Sequence, residues 1–578
     1  MSALEYHDRT KHHFHRYARS LGYLDWASQP NPFRRYDGAP LLSLSREPLA
    51  RDVPFPRLYV GAPTAEMTSE TIAEFLRCSL GLSAWKQYGA SRWALRVNPS
   101  SGNLHPTEGY LVVPLSQVNA GRSAVAPDES RAAAGGDPNP LRSDSPSESR
   151  DAALFADGVG VCHYAPREHG LERRCILDRE AWHVFAGDAA DVAFLVGLTT
   201  IHWREAWKYG ERAFRYCQHD TGHAIAALRY AAALFGWRLT LLPRWSAADV
   251  SAVLGLDAIA SRGDAEREEA ECLAVVTAGE CQPLVEADPR PLLDAARRGV
   301  WCGVPNQLST EHADWPLIDE VAGATRFPGN QPPAVLPGHE PERNRSSGRD
   351  PGSTSGSPVP SARSIILQRR SALAFDGRST LPKVAFISML RRLQPGAPPC
   401  DALWWPPHVH LVLFVHRVVG LLPGIYAYCR DGAAVPDLRS AFREDFLWEP
   451  VDGDERLLLL APLDCRDIAK RLSCDQDIAA DGFFALAMLA RFEPGLAERG
   501  DWLYRYLFWE AGVIGHVLYL EAEAAGARAT GIGCYFDDPV HQLLGLSDHA
   551  WQSLYHFSVG MPVEDKRLTT EPGYEWES

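Results

Sequence analysis

The sequence predicts an α+β protein made of two related halves, and three observations carry that prediction. Arg215-Tyr216-Cys217-Gln218-His219-Asp220-Thr221-Gly222 and Arg505-Tyr506-Leu507-Phe508-Trp509-Glu510-Ala511-Gly512 share Arg-Tyr, an aromatic ring or His, an acid and a Gly at an offset of 290 residues. That offset holds for Gly236 with Gly526 and for Leu254-Gly255-Leu256 with Leu544-Gly545-Leu546, so an internal duplication is expected. Each copy reads as a helix, a glycine, a strand and a second short helix. Two stretches poor in core-forming residues divide the 578-residue chain. The first is an insertion at about 117–153, without aromatics from Gly121 to Ala153; the second is a linker over 329–362. The expected domains are therefore 1–328 and 363–578.

Composition bounds the function. At 46% hydrophobic and 23% charged the chain can build a large globular core. A net charge of -15 argues against nonspecific nucleic-acid or anionic-membrane partners. The best membrane candidate, His410 to Leu422, is too short and is broken by His416 and Arg417. With no apolar leader after Met1, the expected location is the cytoplasm. The twelve cysteines form no CxxC pair, so reduced thiols are expected.

In chain order, Lys11-His12-His13-Phe14-His15-Arg16 reads as a solvated basic helix face and not as a metal site. Leu24 to Tyr36 reads as extended and proline-punctuated. Thr68 and Thr71 cap a helix through about Leu82, with Ile72, Phe75, Leu76 and Leu80 on its apolar face. Asn98-Pro99-Ser100-Ser101-Gly102-Asn103-Leu104-His105-Pro106 then concentrates small polar residues before the apolar run Tyr110 to Val113. Such a reversal can turn backbone and side-chain donors toward a planar, oxygen-rich ligand such as a flavin ring edge. Buried stripes follow: Ala224, Ile225, Leu228, Ala231 and Ala232 in one copy, and Ile514, Val517, Leu518 and Leu520 in the other.

The second half opens on Arg369-Arg370-Ser371, just ahead of a helix over Val384 to Leu393, a combination suited to gripping phosphate oxygens. Thr530-Gly531-Ile532-Gly533 ends a strand with two glycines, which admits close approach of a flat ring. Lys566 and Arg567 bring two more cations near the C-terminus. His105, His163 and His223 are assigned to the core.

In this order the motifs resemble the nitroreductase superfamily of FMN enzymes, and within it the azoline-oxidising dehydrogenases (SagB/ThcOx type), here tandem-duplicated. The resemblance implies two nitroreductase-like domains, each a mostly antiparallel sheet flanked by helices, joined as an intrachain pseudo-dimer. It implies FMN held by Pro99, Ser100, Ser101 and Asn103 from the first half and by Arg369, Arg370, Ser371, Gly531, Ile532, Gly533, Lys566 and Arg567 from the second. The sequence departs from the family's Arg-Arg-Ser-x-Arg pattern at Leu373, so another cation has to substitute or phosphate affinity falls. Trp207-Lys208-Tyr209-Gly210-Glu211-Arg212 resembles the stretch whose lysine and tyrosine handle the proton that leaves with a hydride, which makes Lys208 and Tyr209 the catalytic candidates. Each half lacks what the other keeps: Leu239-Thr240-Leu241-Leu242 stands for the glycine turn in the first, and no Pro-Ser-Ser loop lies between Leu393 and Val412 in the second. One composite site in a monomeric chain is expected, acting on a heterocyclic or modified-peptide substrate with NAD(P)H or oxygen as redox partner. The alternatives are an NAD(P)H-dependent nitro or quinone reductase and a flavin-binding or flavin-free scaffold of a peptide-modifying complex.

Overall fold

Strand Thr107–Pro114 sends Leu111 and Val113 into one apolar core and Tyr110 and Val112 into another, so both faces of its sheet are covered. Val409–Val415 does the same in the second half, with Leu411 and Leu413 on one side and Val412 and Phe414 on the other. The computed structural model describes residues 1–51, 53–119, 158–258, 265–280, 282–332 and 359–577. Nearly all of the expected insertion and most of the expected linker lie outside them.

Each half is a seven-stranded sheet. The first runs Leu41–Ser43, Gly170–Leu177, Val159–Ala165, Thr107–Pro114, Ala193–Thr200, Glu269–Thr277, Arg238–Leu241. The second runs Glu449–Val451, Asp454–Pro462, Gly424–Tyr428, Val409–Val415, Phe484–Arg491, Trp551–Gly560, Arg528–Ile532. Every pairing within both is antiparallel, and apart from the first edge strand the two follow the same order along the chain. Short helices such as Ala247–Leu254 and Asp537–Leu544 cover the outer faces. The predicted α+β class is what the chain adopts.

Between the sheets lie two long helices, α1 (Ala213–Leu234) and α2 (Leu503–Ala524). All of α1 and all but the last two residues of α2 are buried, the condition of a helix surrounded by protein. They cross at Gly222 and Gly512, the residues related by the 290-residue offset: a methyl on either would strike the other helix's backbone. The offset recurs in conformation. Gly236 and Gly526 are left-handed with φ of 67° and 72°, and Gly255 and Gly545 end their helices with φ of 71° and 84°.

The chain ends cross over. Helix Ala3–Arg9 reaches the second half, where the Ala3 N–H donates to Asp501 at 3.1 Å. Strand Thr569–Pro572 pairs with Leu82–Tyr88 of the first half, followed by Tyr574 packed with Phe33, Leu82 and Ala94.

Three local expectations are corrected. Lys11 to Arg16 is not a helix: the Ser2–Glu5 capping box starts the helix earlier, and Asp537 and Asp538 draw His12 N–H and Lys11 onto the second half, burying both residues. The helix capped by Thr68 and Thr71 ends at Arg77, because the strand begins at Leu82. Arg369 follows the end of helix Ala362–Gln368 instead of heading the next helix, Lys383–Arg391. Among the described residues no helix is long and apolar enough to cross a membrane.

Candidate functional site

The loop after Asn98 is bent by three left-handed residues, Gly102, Asn103 and His105, with φ of 57°, 60° and 52°. For a non-glycine residue that conformation is costly, about 1–3 kcal/mol, and persists only where neighbours enforce it. Here they do. Ser100 Oγ accepts from the His105 N–H at 2.8 Å, Asn103 Nδ2 donates to the Ala94 carbonyl at 2.9 Å, and Asp220 accepts from both Ser101 N–H and Ser101 Oγ at 3.0 Å. Much of the polarity of Ser100, Ser101 and Asn103 is thus used in shaping the loop.

This loop forms one wall of a cavity of about 460 Å³ between the halves, within the size range of small-molecule sites. Arg369, Arg370 and Ser371 with Gly531, Ile532 and Gly533 form the facing wall. Motifs separated by more than 250 residues therefore meet in one cleft. The two glycines are needed for a reason other than the expected one: side chains at 531 and 533 would collide with Tyr555 and Tyr216, so the space beside them is filled by protein rings.

One end of the cavity is cationic. Arg369 is 4% exposed and lies over the Tyr519 ring, with no carboxylate at ion-pair distance from it or from Arg370 among the described residues. Burial lowers the pKa of Arg369, and burial with the nearby Arg369 and Arg528 lowers that of Arg370. Lys86 of the first half is lowered by burial and by Arg370. Lys86, Arg369, Arg370 and Arg528 all line the cavity; Glu564 pairs with Arg528 there and Glu523 lies nearby, so the repulsion among the cations is only partly offset and an anion seated against Arg369 and Arg370 would relieve the rest. Leu373 is 70% exposed at the cavity edge, and Arg528 and Lys86 are the further cations on the cavity wall. Lys566 and Arg567 are exposed and off the cavity wall; Arg567 instead pairs with Asp565 at 2.7 Å.

Of the proton-bearing groups, Tyr209 and Asp220 line the cavity, while Lys208 and Glu205 lie behind its wall. A methyl on Gly102 would lie 2.6 Å from Tyr209 Oη and 3.1 Å from Lys208 Nζ, so the glycine is what lets both reach the loop. Burial, reinforced by Glu205, pushes the Tyr209 phenol well above its ordinary value, which keeps it a neutral donor. Beneath the loop lies a carboxylate pair absent from the expected site. Burial raises Glu205 strongly and the adjacent Asp220 raises it further; burial also pushes Asp220 up to about 7 against the hydrogen bonds of Ser100 and Ser101. Two buried carboxyls this close favour retention of a proton between them.

The pseudo-symmetric position is filled. Tyr506, the counterpart of Tyr216, packs against Trp405, Trp502 and Trp509 at ring separations of 4.6, 4.9 and 4.4 Å. Glu510, the counterpart of Asp220, pairs with Arg430 and accepts from the His408 and Val409 N–H groups. The histidines assigned to the core are all buried: His163 is held between Glu108 and Glu172, and His105 and His223 also border the cavity. Lys86, Glu205 and Arg528 carry no motif that sequence could reveal. Asp220 is visible as the acid of the repeat, but not its role under the loop.

No family model matches the sequence, and no curated protein matches it. Solved structures do. A candidate nitroreductase from Anabaena variabilis superposes with a TM-score of 0.64 at 20% identity, covering 97% of this chain and 100% of that one. That likeness shows the fold: the chain has a nitroreductase-like fold. A candidate nitroreductase from Ralstonia eutropha (17% identity, 38% of this chain, 89% of that one) and a chain of the E. coli microcin synthetase McbBCD complex (18% identity, 40% and 84%) each align with a TM-score of 0.26, too low to add to that result.

Proposed function

We propose that the chain is an FMN-dependent oxidoreductase of the nitroreductase type, with one composite site between halves that arose by duplication. The observation that carries this reading is the meeting of Arg369, Arg370, Arg528 and Lys86 with the Pro99–Asn103 loop and the Gly531–Gly533 turn around one cavity of about 460 Å³, in which Arg369 and Arg370 have no carboxylate partner among the described residues while Arg528 pairs with Glu564. An anionic, planar ligand fits that polarity, and the residues suit FMN: the cations would hold its phosphate, and the loop and the Gly531–Gly533 turn would flank its ring. FMN, when bound, supplies two-electron hydride chemistry.

The protein's share is positioning and proton handling. Asp220 fixes Ser101, and the Ser100–His105 hydrogen bond closes the loop, so the shape of this wall is set before substrate arrives. Lys208, as its free amine, would take the proton that leaves with the hydride, and neutral Tyr209 would donate a hydrogen bond beside it. The finer reading is a dehydrogenase of the azoline-oxidising type, with a heterocyclic or modified-peptide substrate, in a monomeric cytoplasmic protein. A nitro or quinone reductase using NAD(P)H would employ the same walls.

The test is a fluorescence titration of the full chain with FMN and with riboflavin, which lacks the phosphate. Wild type should prefer FMN, and Arg369→Ala should weaken FMN about tenfold or more while leaving riboflavin nearly unchanged, as expected for loss of a charge-assisted contact. Equal affinity of wild type for the two ligands would remove the phosphate assignment. Bleaching of the flavin by NADPH under anaerobic conditions would favour the reductase; turnover of an azoline substrate without it would favour the dehydrogenase.

A further inference from the structure

The turn after helix Arg466–Leu472 and the turn after strand Arg528–Ile532 meet at a pair of thiols. Cys474 Sγ and Cys534 Sγ are 2.7 Å apart, inside ordinary nonbonded contact yet longer than a disulfide bond. The two cysteines are 60 residues apart and lie on different elements, so no spacing motif announces them. Their approach is built. Cys474 and Asp475 are both left-handed, with φ of 54° and 56°, a conformation that cysteine adopts only under constraint. Gln476 clamps the two turns together, its Nε2 donating to the Ser473 carbonyl at 2.8 Å and to the Cys534 carbonyl at 3.1 Å. From the other side Tyr216 Oη donates to the Gly533 carbonyl at 3.1 Å. Both cysteines are partly exposed, unlike most of the cysteines among the described residues, and Cys534 and Gln476 line the cavity.

We propose that Cys474 and Cys534 are a redox-active dithiol on the cavity wall, which exchanges with small-molecule disulfides and closes to an intramolecular disulfide. The thiol pair stabilises an anion on Cys534: the Cys474 S–H hydrogen bond lowers its pKa, and Arg212 adds to the effect. Exchange with glutathione disulfide illustrates the balance. Cys534 Sγ attacks one glutathione sulfur, the glutathione S–S bond breaks, and one glutathione thiol leaves with the proton from Cys534. Cys474 Sγ, giving up its own proton, then attacks Cys534 Sγ and expels the second glutathione as a thiol. Two electrons pass from the protein to glutathione, and one protein S–S bond forms for the one broken. The bond would tie the turn at 473–476 to the glycine turn, joining two segments of the wall. The claim does not depend on which ligand the cavity binds.

The experiment is a redox titration of the full native chain in glutathione buffers of rising disulfide fraction, quenched in acid, alkylated after denaturation and mapped by peptide mass spectrometry. The expected result is a cross-linked peptide containing Cys474 and Cys534, lost again on adding dithiothreitol, while the buried cysteines alkylate fully. In Cys474→Ser, Cys534 should accumulate as a stable glutathione adduct, since nothing resolves it. Phenylarsine oxide, which needs two adjacent thiols, should bind the reduced wild type one to one at this pair. The proposal falls if both cysteines of the folded wild-type chain alkylate completely at the most oxidising ratio, or if only mixed adducts form on them. This wild-type result decides the matter even if a variant fails to fold.

Discussion

Asp220 is the residue on which loop geometry and protonation meet. Its folded-state pKa of about 7 lies above the ordinary aspartate value of about 3.9, so the native state binds this proton more tightly than the unfolded chain. The stabilisation from that proton is full below about pH 4 and is lost as pH rises toward 7, because over that range the native state holds a proton that the unfolded chain has already released. Wild type should therefore melt at a lower temperature at pH 8 than at pH 5. Asp220→Asn, which keeps an acceptor for Ser101 and cannot ionise, should flatten that slope; thermal unfolding at the two pH values checks it, and an unchanged slope would assign the pH dependence to other groups. Lys86 and Arg528 teach a related point. Nothing in their neighbours along the chain marks them as parts of a cationic wall, because what makes them so is proximity to Arg369 and Arg370 across the interface.

At the scale of elements, α1 and α2 are tied by more than their glycine crossing. Arg212, at the N-terminus of α1, and Arg215 within it both pair with Asp537 of the second half, at 2.9 and 2.7 Å, and none of the three is appreciably exposed. Arg505, the counterpart of Arg215, reaches the other way to Glu271 at 2.6 Å. A buried ion pair contributes little over an apolar substitute, but removing one partner strands the other. Asp537→Ala leaves two guanidinium groups without their carboxylate and should cost about 3–5 kcal/mol. Denaturant unfolding measures it; a loss under about 1 kcal/mol would mean that the arginines find other partners. The repeat pattern Arg-Tyr…acid-x-Gly was legible as two related helices, because that follows from local spacing and a constant offset. That the same arginines bridge the halves was not, since Asp537 and Glu271 lie outside the repeated octets.

On the scale of the whole molecule, the halves have one topology and unequal interiors. Where the first half offers Tyr216 and Asp220 to a cavity, the second surrounds Tyr506 with Trp405, Trp502 and Trp509 and engages Glu510 with Arg430. The chain should accordingly bind one FMN, not two; absorbance of the bound flavin against protein concentration gives the ratio, and a value near two would contradict the filled second site. The crossing ends support a single unit, with Thr569–Pro572 completing a sheet of the first half and Ala3–Arg9 resting on the second.

The sequence by itself determined the two-half plan, the mixed class and the pairing of a Pro-Ser-Ser loop in one half with an arginine pair and glycine turn in the other. The first two are written in periodicity and in a constant offset, and the third follows from the resemblance of those motifs to the nitroreductase superfamily. Only the tertiary structure decided which cations stand together, that Lys566 and Arg567 face away, that Glu205 lies under the loop beside Asp220, and that Cys474 touches Cys534. Burial and through-space charge are properties of neighbours brought together by folding, and distance along the chain carries no record of them.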